Sequence, residues 1–312
     1  DLDTYAEDKV LTNEATKESI ATATAALNKI TETVKANMAA YEATAKALET
    51  YAAKAQELDE AGKAAYVVTD IEAVYNNNTM EDDMTENVLV AFETAVKSQG
   101  VGADMTGAVR NADCTAAGNA YWTIEGGNTF HTNTWSTEND ESGLKTPFIE
   151  DWCGGGNTLV DATITHTTIE GLPAGKYAVS GFIRAFAENH ADVTPSGACI
   201  FANGVEGEDI STGTAAVFNS NSGEVYGTYT VKCEVGEDGT LTFGIKIKDA
   251  VQYFDWIAFK DFTVTYESVS TAISEVAAQK AAQKGIFNVA GQQMKALQKG
   301  LNIVDGKKIY VK

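Results

Sequence analysis

The first ninety-nine residues of this chain contain one glycine, Gly62, and no proline. A segment so poor in turn formers is not a succession of short strands, and it must be built from helices. Basic side chains are scarce throughout. Lys and Arg number 23 against 44 Asp and Glu, a formal charge of −21 over 312 residues. Such a surface repels phosphate backbones and anionic lipid, which excludes nucleic acid and membrane surfaces as partners. No run of 18 apolar residues occurs, so no helix is expected to insert in a bilayer. The four cysteines, Cys114, Cys153, Cys199 and Cys233, form no CxxC pair, which removes zinc-ribbon and thioredoxin-like chemistry. The three histidines, His131, His166 and His190, lie in no metal-binding spacing, and no nucleophile elbow, P-loop or dinucleotide-binding glycine pattern follows a strand. No catalytic residue and no metal ligand is therefore assigned.

What remains divides into three textures. In residues 1–100, Leu27, Val34, Tyr41, Leu48 and Ala55 recur every seven places, with Ile30, Met38, Ala45 and Ala52 three or four places after a member of that row. This is one apolar helical face, with Asn37 a point where it could divide into two helices. "YNNNTMEDDM" ends one helix and begins another: Thr79 is the expected cap, with Glu81, Asp82 and Asp83 in the positive first turn. Met84, Val88, Phe92 and Val96 form the last buried stripe. The unit is read as a helical bundle serving as a spacer.

Residues 101–266 change to short alternating apolar runs separated by Gly, Asn, Asp, Ser and Thr, the pattern of an antiparallel β-sandwich. This region carries 8 basic against 22 acidic side chains. Thr228–Val235 and Leu241–Ile247 flank "GEDG" and are expected to pair as a hairpin. In "YFDWIAFKDFTVTY", residues 253–266, unbroken alternation would put Phe254, Trp256, Phe262, Val264 and Tyr266 on one face and Tyr253, Ile257 and Phe259 on the other. Cys199 and Cys233 alternate with apolar neighbours and are read as buried thiols, while the pairing of Cys114 and Cys153 stays open. Residues 267–312 reverse the charge, with 7 basic against 3 acidic side chains. There "NIVDGKKIYV" sets Asp-Gly between two alternating runs, a hairpin signal.

These segments resemble known families. The alanine-rich periodicity and "VYNNNT" are similar to the small FIVAR-type helical modules of bacterial surface proteins. "DMTGAVRNADC" with "AYWTIEGG", "TTIEGLPAGKYAVSGFIRA" and "FDWIAFKDFTVTY" resemble the opening, middle and closing segments of galactose-binding-like jelly-roll domains in Bacteroidetes surface and secreted proteins. Lys260 stands where that pattern has an acidic residue. "IFNVAGQQ" with "KGLNIVDGKKIYVK" resembles the C-terminal sorting-type tail of exported Bacteroidetes proteins. The resemblance implies a multi-domain α+β protein: a helical bundle over 1–100, a jelly-roll sandwich over 101–266, and a linker with a small β hairpin unit over 267–312. It also implies export to the cell surface or medium, while a first residue, Asp1, that is not methionine suggests either a processed protein or a chain trimmed of a targeting segment.

Binding chemistry is expected where aromatics fall in polar, glycine-rich loops, because sugar C–H faces stack on exposed rings while amides and carboxylates take hydroxyl groups. "GGNTFHTNTWSTENDESG" supplies Trp135, His131 and Asn133, and "IEDWCGGGN" supplies Trp152, Asp151 and Asn157. Carboxylates are too abundant for any one pair to mark a glycosidase. No cofactor is expected beyond room for a structural calcium ion, with Asp261 and Glu125 the candidates by resemblance. The sequence is thus read as an exported, non-enzymatic carbohydrate-binding protein whose partners are a glycan or polysaccharide and other cell-surface proteins. A structural or adhesive surface protein is the first alternative, and a glycan-active hydrolase the second.

Overall fold

Alanine supplies 13 of the 39 residues from 17 to 55, and neither glycine nor proline interrupts them, so the helix propagates. The computed structural model describes residues 17–80, 82–133, 147–154, 156–187, 195–213, 226–269, 286–288, 293–304 and 307–311. Its contacts divide the chain into two units, Asp1–Gly100 and Val101–Lys312. In the first, α1 spans Lys17–Ala55 without a break. The division anticipated at Asn37 does not occur, because one interior asparagine costs a helix only about 0.7 kcal/mol. Three shorter helices follow, α2 (Glu60–Ala65), α3 (Thr69–Asn76) and α4 (Thr85–Lys97). α3 and α4 pack on the second half of α1 through Ala47, Val68, Ile71 and Val88, joined by Leu48, Tyr51 and Met84, and α2 packs on α4. Phe92 packs on Tyr51 with ring centroids 5.1 Å apart and the rings tilted by 39°.

Gly62, the one glycine before residue 100, has a reason. A Cβ on Gly62 would lie 2.8 Å from Gln99 Cγ and 2.9 Å from Leu58 Cβ, so no larger residue lets α2 reach that place. Asp59 caps α2 by accepting the Gly62 amide at 2.8 Å, and its other oxygen accepts Gly100 N at 2.7 Å. Those two backbone donors hold its carboxyl below the ordinary value of 3.8. The start of α4 differs from the reading of the sequence. Asp83 accepts the Thr85 amide at 2.8 Å, whereas Thr79 turns its hydroxyl back to Val74 O. An aspartate two places before the first free amides is better placed than a threonine six places away.

The second unit contains two sheets and a smaller third one. In chain order the strands are β1 (Thr123–Glu125), β2 (His131–Asn133), β3 (Phe148–Trp152), β4 (Thr163–Ile169), β5 (Gly175–Phe186), β6 (Ala198–Ala202) and β7 (Val205–Asp209). They continue with β8 (Thr212–Gly213), β9 (Tyr226–Val235), β10 (Leu241–Ile247) and β11 (Trp256–Val269). One sheet has the order β1-β4-β10-β6-β7, and the other β2-β3-β11-β5-β8 with β9 also on β5. The two face each other as a sandwich. Trp122 sits between them, its ring 6.1 Å from Phe243 of one sheet and 5.4 and 5.0 Å from Phe259 and Phe262 of the other.

Two expectations are corrected here. β9 and β10 are not a hairpin, because β9 pairs with β5 and β10 lies between β4 and β6. The "GEDG" turn crosses from one sheet to the other, beside the "EGLPAG" crossing from β4 to β5. The two turns are tied by Leu172 N donating to Gly239 O at 3.0 Å. A β-sandwich core covers both strands only if each presents its apolar face from its own sheet. The second correction concerns β11. Lys260 pairs with Phe182 and Thr263 with Ser180, so Asp261 and Phe262 together oppose Gly181. Asp261 takes φ +52°. This β-bulge changes the phase of the strand. Phe259 and Phe262 therefore both face the core, 5.8 Å apart, and Trp256 faces away from it. Gly181 makes the room, since a Cβ there would lie 2.7 Å from the Phe262 ring.

Tyr177 stacks on Tyr266 at 4.9 Å and donates its hydroxyl to Pro173 O at 2.7 Å. β11 runs on past residue 266 to Val269. All four cysteines are free thiols, three of them buried and Cys153 half-buried. Burial pushes the Cys114 thiol well up and that of Cys233 up to about 11. At the C-terminus β12 (Ile286–Asn288), β13 (Gln293–Met294), β14 (Gly300–Val304) and β15 (Lys307–Val311) form a sheet ordered β13-β12-β14-β15. β14 pairs antiparallel with β15, Val304 opposite Lys307, and the expected turn residues Asp305 and Gly306 lie outside the described residues. Among the described residues no helix is long and apolar enough to cross a membrane.

Candidate functional site

Directly opposed residues of antiparallel strands point to the same face, so the registers of β2, β3, β11 and β5 define what the outer face of their sheet presents. One row is Trp152, Trp256 and Phe186; the next is His131, Glu150, Ala258 and Arg184. A third contains Asn133 with Phe148, and Lys260 with Phe182. Along most of β5 only the core-facing side chains are buried, but from Ile183 to Phe186 every residue is. β11 shows the same from Trp256 to Lys260. At this end the outer face carries its own apolar cluster of Phe148, Phe186, Trp256 and Ala258, with Phe182 against it. At its margin Trp152 is 59% exposed.

A carboxylate lies inside this aromatic setting. The Glu150 side chain is 10% exposed, so its charge must be answered by donors. Asn133 Nδ2 donates to its Oε1 at 2.6 Å, and the Trp256 indole N–H donates to its Oε2 at 2.6 Å. His131 Nε2 lies 3.3 Å from Oε1, with its own ring largely exposed. On the far side of Ala258, the buried Arg184 guanidinium stands over the Trp256 ring, 5.3 Å from its centroid. This sets Trp256 between a carboxylate at its edge and a cation at its face, both of which suit an indole's polarity. The result is a rigid aromatic surface with hydrogen-bonding groups fixed beside it and one indole, that of Trp152, open to solvent.

Of the six residues singled out in the sequence, His131, Asn133 and Trp152 come together around Glu150. Asp151 does not join them, because alternation along β3 turns it to the opposite face. There it is buried and accepts Thr129 N at 3.0 Å, and desolvation raises its carboxyl above the ordinary range. Asn157 is exposed and donates to Cys153 O at 2.9 Å, closing the turn after β3. Trp135 lies outside the described residues. Glu150, Trp256 and Arg184 were not anticipated. The signal for Glu150 was period-two alternation in "FIEDW", which sets it, not Asp151, on the face of Trp152. The calcium candidates are far apart in the topology. Glu125 in β1 lies 3.5 Å from His166 Nε2, while Asp261 occupies the bulge of β11, 3.8 Å from Lys260 Nζ. Among the described residues no three His, Cys, Asp or Glu side chains gather as a metal site.

No protein-family model matches the chain, and no curated protein does. Solved structures with a similar sandwich include the xylan-binding CBM22-1 domain of Paenibacillus barcinonensis Xyn10C, at 9% identity over 54% of this chain and 98% of that one, with a TM-score of 0.35. They also include TmCBM61 in complex with β-1,4-galactotriose, at 14% identity over 47% and 90%, with a TM-score of 0.32. A family 35 carbohydrate-binding module from Clostridium thermocellum matches at 9% identity over 47% and 92%, with a TM-score of 0.29. Values this low carry no argument about activity, and the functional reading rests on the side chains above.

Proposed function

We propose that this is a non-catalytic carbohydrate-binding protein that holds a glycan on the outer face of the β2-β3-β11-β5 sheet. The observation that carries the reading is the exposed Trp152 indole, set in one cross-strand row with Trp256 and next to the row of Glu150 and His131. A pyranose ring has an apolar C–H face and a hydroxylated edge. An open indole takes the first, while Asn133, Glu150 and His131 stand where the second would fall. The rows contain one carboxylate, Glu150, already engaged by Asn133 and Trp256, whereas a hydrolase needs two with distinct roles. Titration of soluble neutral polysaccharides into the protein, followed by tryptophan fluorescence and calorimetry, tests the reading. Saturable binding lost in Trp152→Ala supports it, and no binding to any polysaccharide would favour a structural or adhesive role.

Export to the cell surface or medium belongs to the same proposal and rests on the resemblance of the tail to sorting segments. A chain lacking residues 285–312 is expected to stay inside the producing cell, and unchanged surface display would overturn that part.

A further inference from the structure

We propose that the Tyr121 ring is a second platform for a neutral sugar, at the edge of the sandwich beside β1 and β2. The backbone gives the first sign. Tyr121 has φ +69°, a left-handed conformation that glycine takes freely, asparagine tolerates and a bulky aromatic residue rarely adopts. Just before it, Gly118 at +69° and Asn119 at +55° share that conformation, and these are the residue types a turn of this kind asks for. Tyrosine is not.

The conformation is imposed from both sides. Asn111 donates its side-chain amide to Ala120 O at 2.8 Å, and its backbone carbonyl accepts the Trp122 indole N–H at 3.1 Å. Asn119 O accepts Trp122 N at 2.8 Å, while Asn119 is fastened to β2 by donating its amide to Thr132 Oγ1 at 2.9 Å, and by donating its side-chain amide to Phe130 O at 2.6 Å. Trp122 itself is locked between the sheets. The fold therefore needs the turn, but not the ring, since glycine or asparagine would close the same turn with less strain. A tyrosine that is 56% exposed recovers little of that cost by burial, and strain of this kind persists where a side chain is used for something other than folding.

The surroundings of the ring define what it takes. The Arg110 guanidinium covers one face, 5.3 Å from the centroid, which fixes the ring's orientation. The side chains of Asn111 and Asn119 are engaged within the turn, so the ring offers stacking more than hydrogen bonds. That suits the C–H face of a pyranose. A polyanion would be repelled by a chain of net charge −21, so the sugar is a neutral one. Among the described phenylalanine, tyrosine and tryptophan residues of the two facing sheets and their connections, only Tyr121 and Trp152 are exposed. Trp152 stands on the outer face of one sheet, and Tyr121 directly before the edge strand of the other, so they are separate points of contact. The ligand class rests on the reading of the Trp152 face, whereas the site rests on Tyr121 alone.

Affinity electrophoresis and calorimetry of the full chain with soluble xyloglucan, galactomannan and mixed-linkage β-glucan test this, alongside thermal melts of the same proteins. Tyr121→Ala should weaken the binding of whichever polymer the parent takes by about fivefold or more, and Tyr121→Phe, which keeps the ring, should bind as the parent does. Tyr121→Gly should bind as weakly as Tyr121→Ala yet melt at or above the parental temperature, because glycine relieves the strained φ. A Tyr121→Ala protein of parental affinity overturns this platform and leaves that of Trp152 standing. Affinity lost in Tyr121→Ala but unchanged in Trp152→Ala supports this site and overturns the other. A clear fall in the melting temperature of Tyr121→Gly shows that the ring is kept for the fold and overturns the proposal, and a parent that binds none of the three polymers overturns the sugar assignment at both places.

Discussion

Replacing Trp152 by alanine separates the binding role of the outer face from its structural one. Complete truncation of a buried tryptophan costs about 3 to 5 kcal/mol. Trp152 is 59% exposed, so scaling by the part that is covered leaves about 1 to 2 kcal/mol of stability. As a stacking platform it would contribute about 1 to 3 kcal/mol of affinity, or roughly five- to 150-fold in Kd. Trp256 is the internal control. It is buried and donates to Glu150 at 2.6 Å, so Trp256→Ala should incur the full cavity cost and strand a carboxylate acceptor as well. The assay measures denaturant midpoint and glycan affinity on the same preparations. The expected result is a small stability loss with a large affinity loss for Trp152→Ala, and a large stability loss for Trp256→Ala. A Trp152→Ala protein that binds a parent-recognised glycan with unchanged Kd would refute the platform.

Glu150→Ala should cost about 1 to 3 kcal/mol for the buried Trp256 indole N–H whose acceptor it removes, and less for the half-buried Asn133 amide. Glu150→Gln should cost less, since its amide oxygen still accepts one of them, and equal losses by chemical denaturation would contradict this account. Gly62→Ala would ordinarily favour a helix, yet the contact at 2.8 Å with Gln99 should reverse the sign and destabilise by about 1 to 3 kcal/mol; a raised Tm would show that α2 can shift. Asp59 has a lowered carboxyl pKa because it accepts from Gly100 and Gly62. Its contribution is therefore fully present above the unfolded value and lost as pH falls through the lower folded one. The stability gap between the parent and Asp59→Ala should shrink in acid, and a gap as wide at about pH 2 as at about pH 7 would exclude the mechanism.

The change of texture at residue 100, the apolar rows and the alternating runs made the helical and sandwich regions legible, because they depend on local periodicity. What escaped depends on pairing. "GEDG" between two alternating runs reads as a hairpin until β5 and β4 compete for the same strands, and only the sandwich decides between them. The bulge at Asp261 escaped for a related reason. Nothing in "AFKDFTV" announces an extra residue, whereas Gly181 on the partner strand creates the space that Phe262 enters. The site followed the same division. Trp152, His131 and Asn133 stood out as polar and aromatic residues in loop-like sequence. Arg184 lies 32 positions from Trp152 in the chain and joins the face only through the β11 strand between β3 and β5.

The bulge also explains how one strand serves two purposes. Before Asp261, β11 turns Trp256 and Ala258 outward to the candidate site and Ile257 and Phe259 inward. After it, Phe262, Val264 and Tyr266 fill the core. Without the extra residue an even alternation would carry Trp256 and Phe262 on one face, so that either the core lost Phe262 or the outer face lost Trp256. The extra residue lets both be satisfied. It also ties the site to the most buried part of the sandwich: Trp256 lies directly between Trp152 and Phe186, so the open indole beside it rests on strands whose other faces are locked by Phe259 and Ile183. A ligand-facing surface fixed in this way loses little freedom on binding, which is the condition under which a few aromatic and polar contacts suffice for measurable affinity.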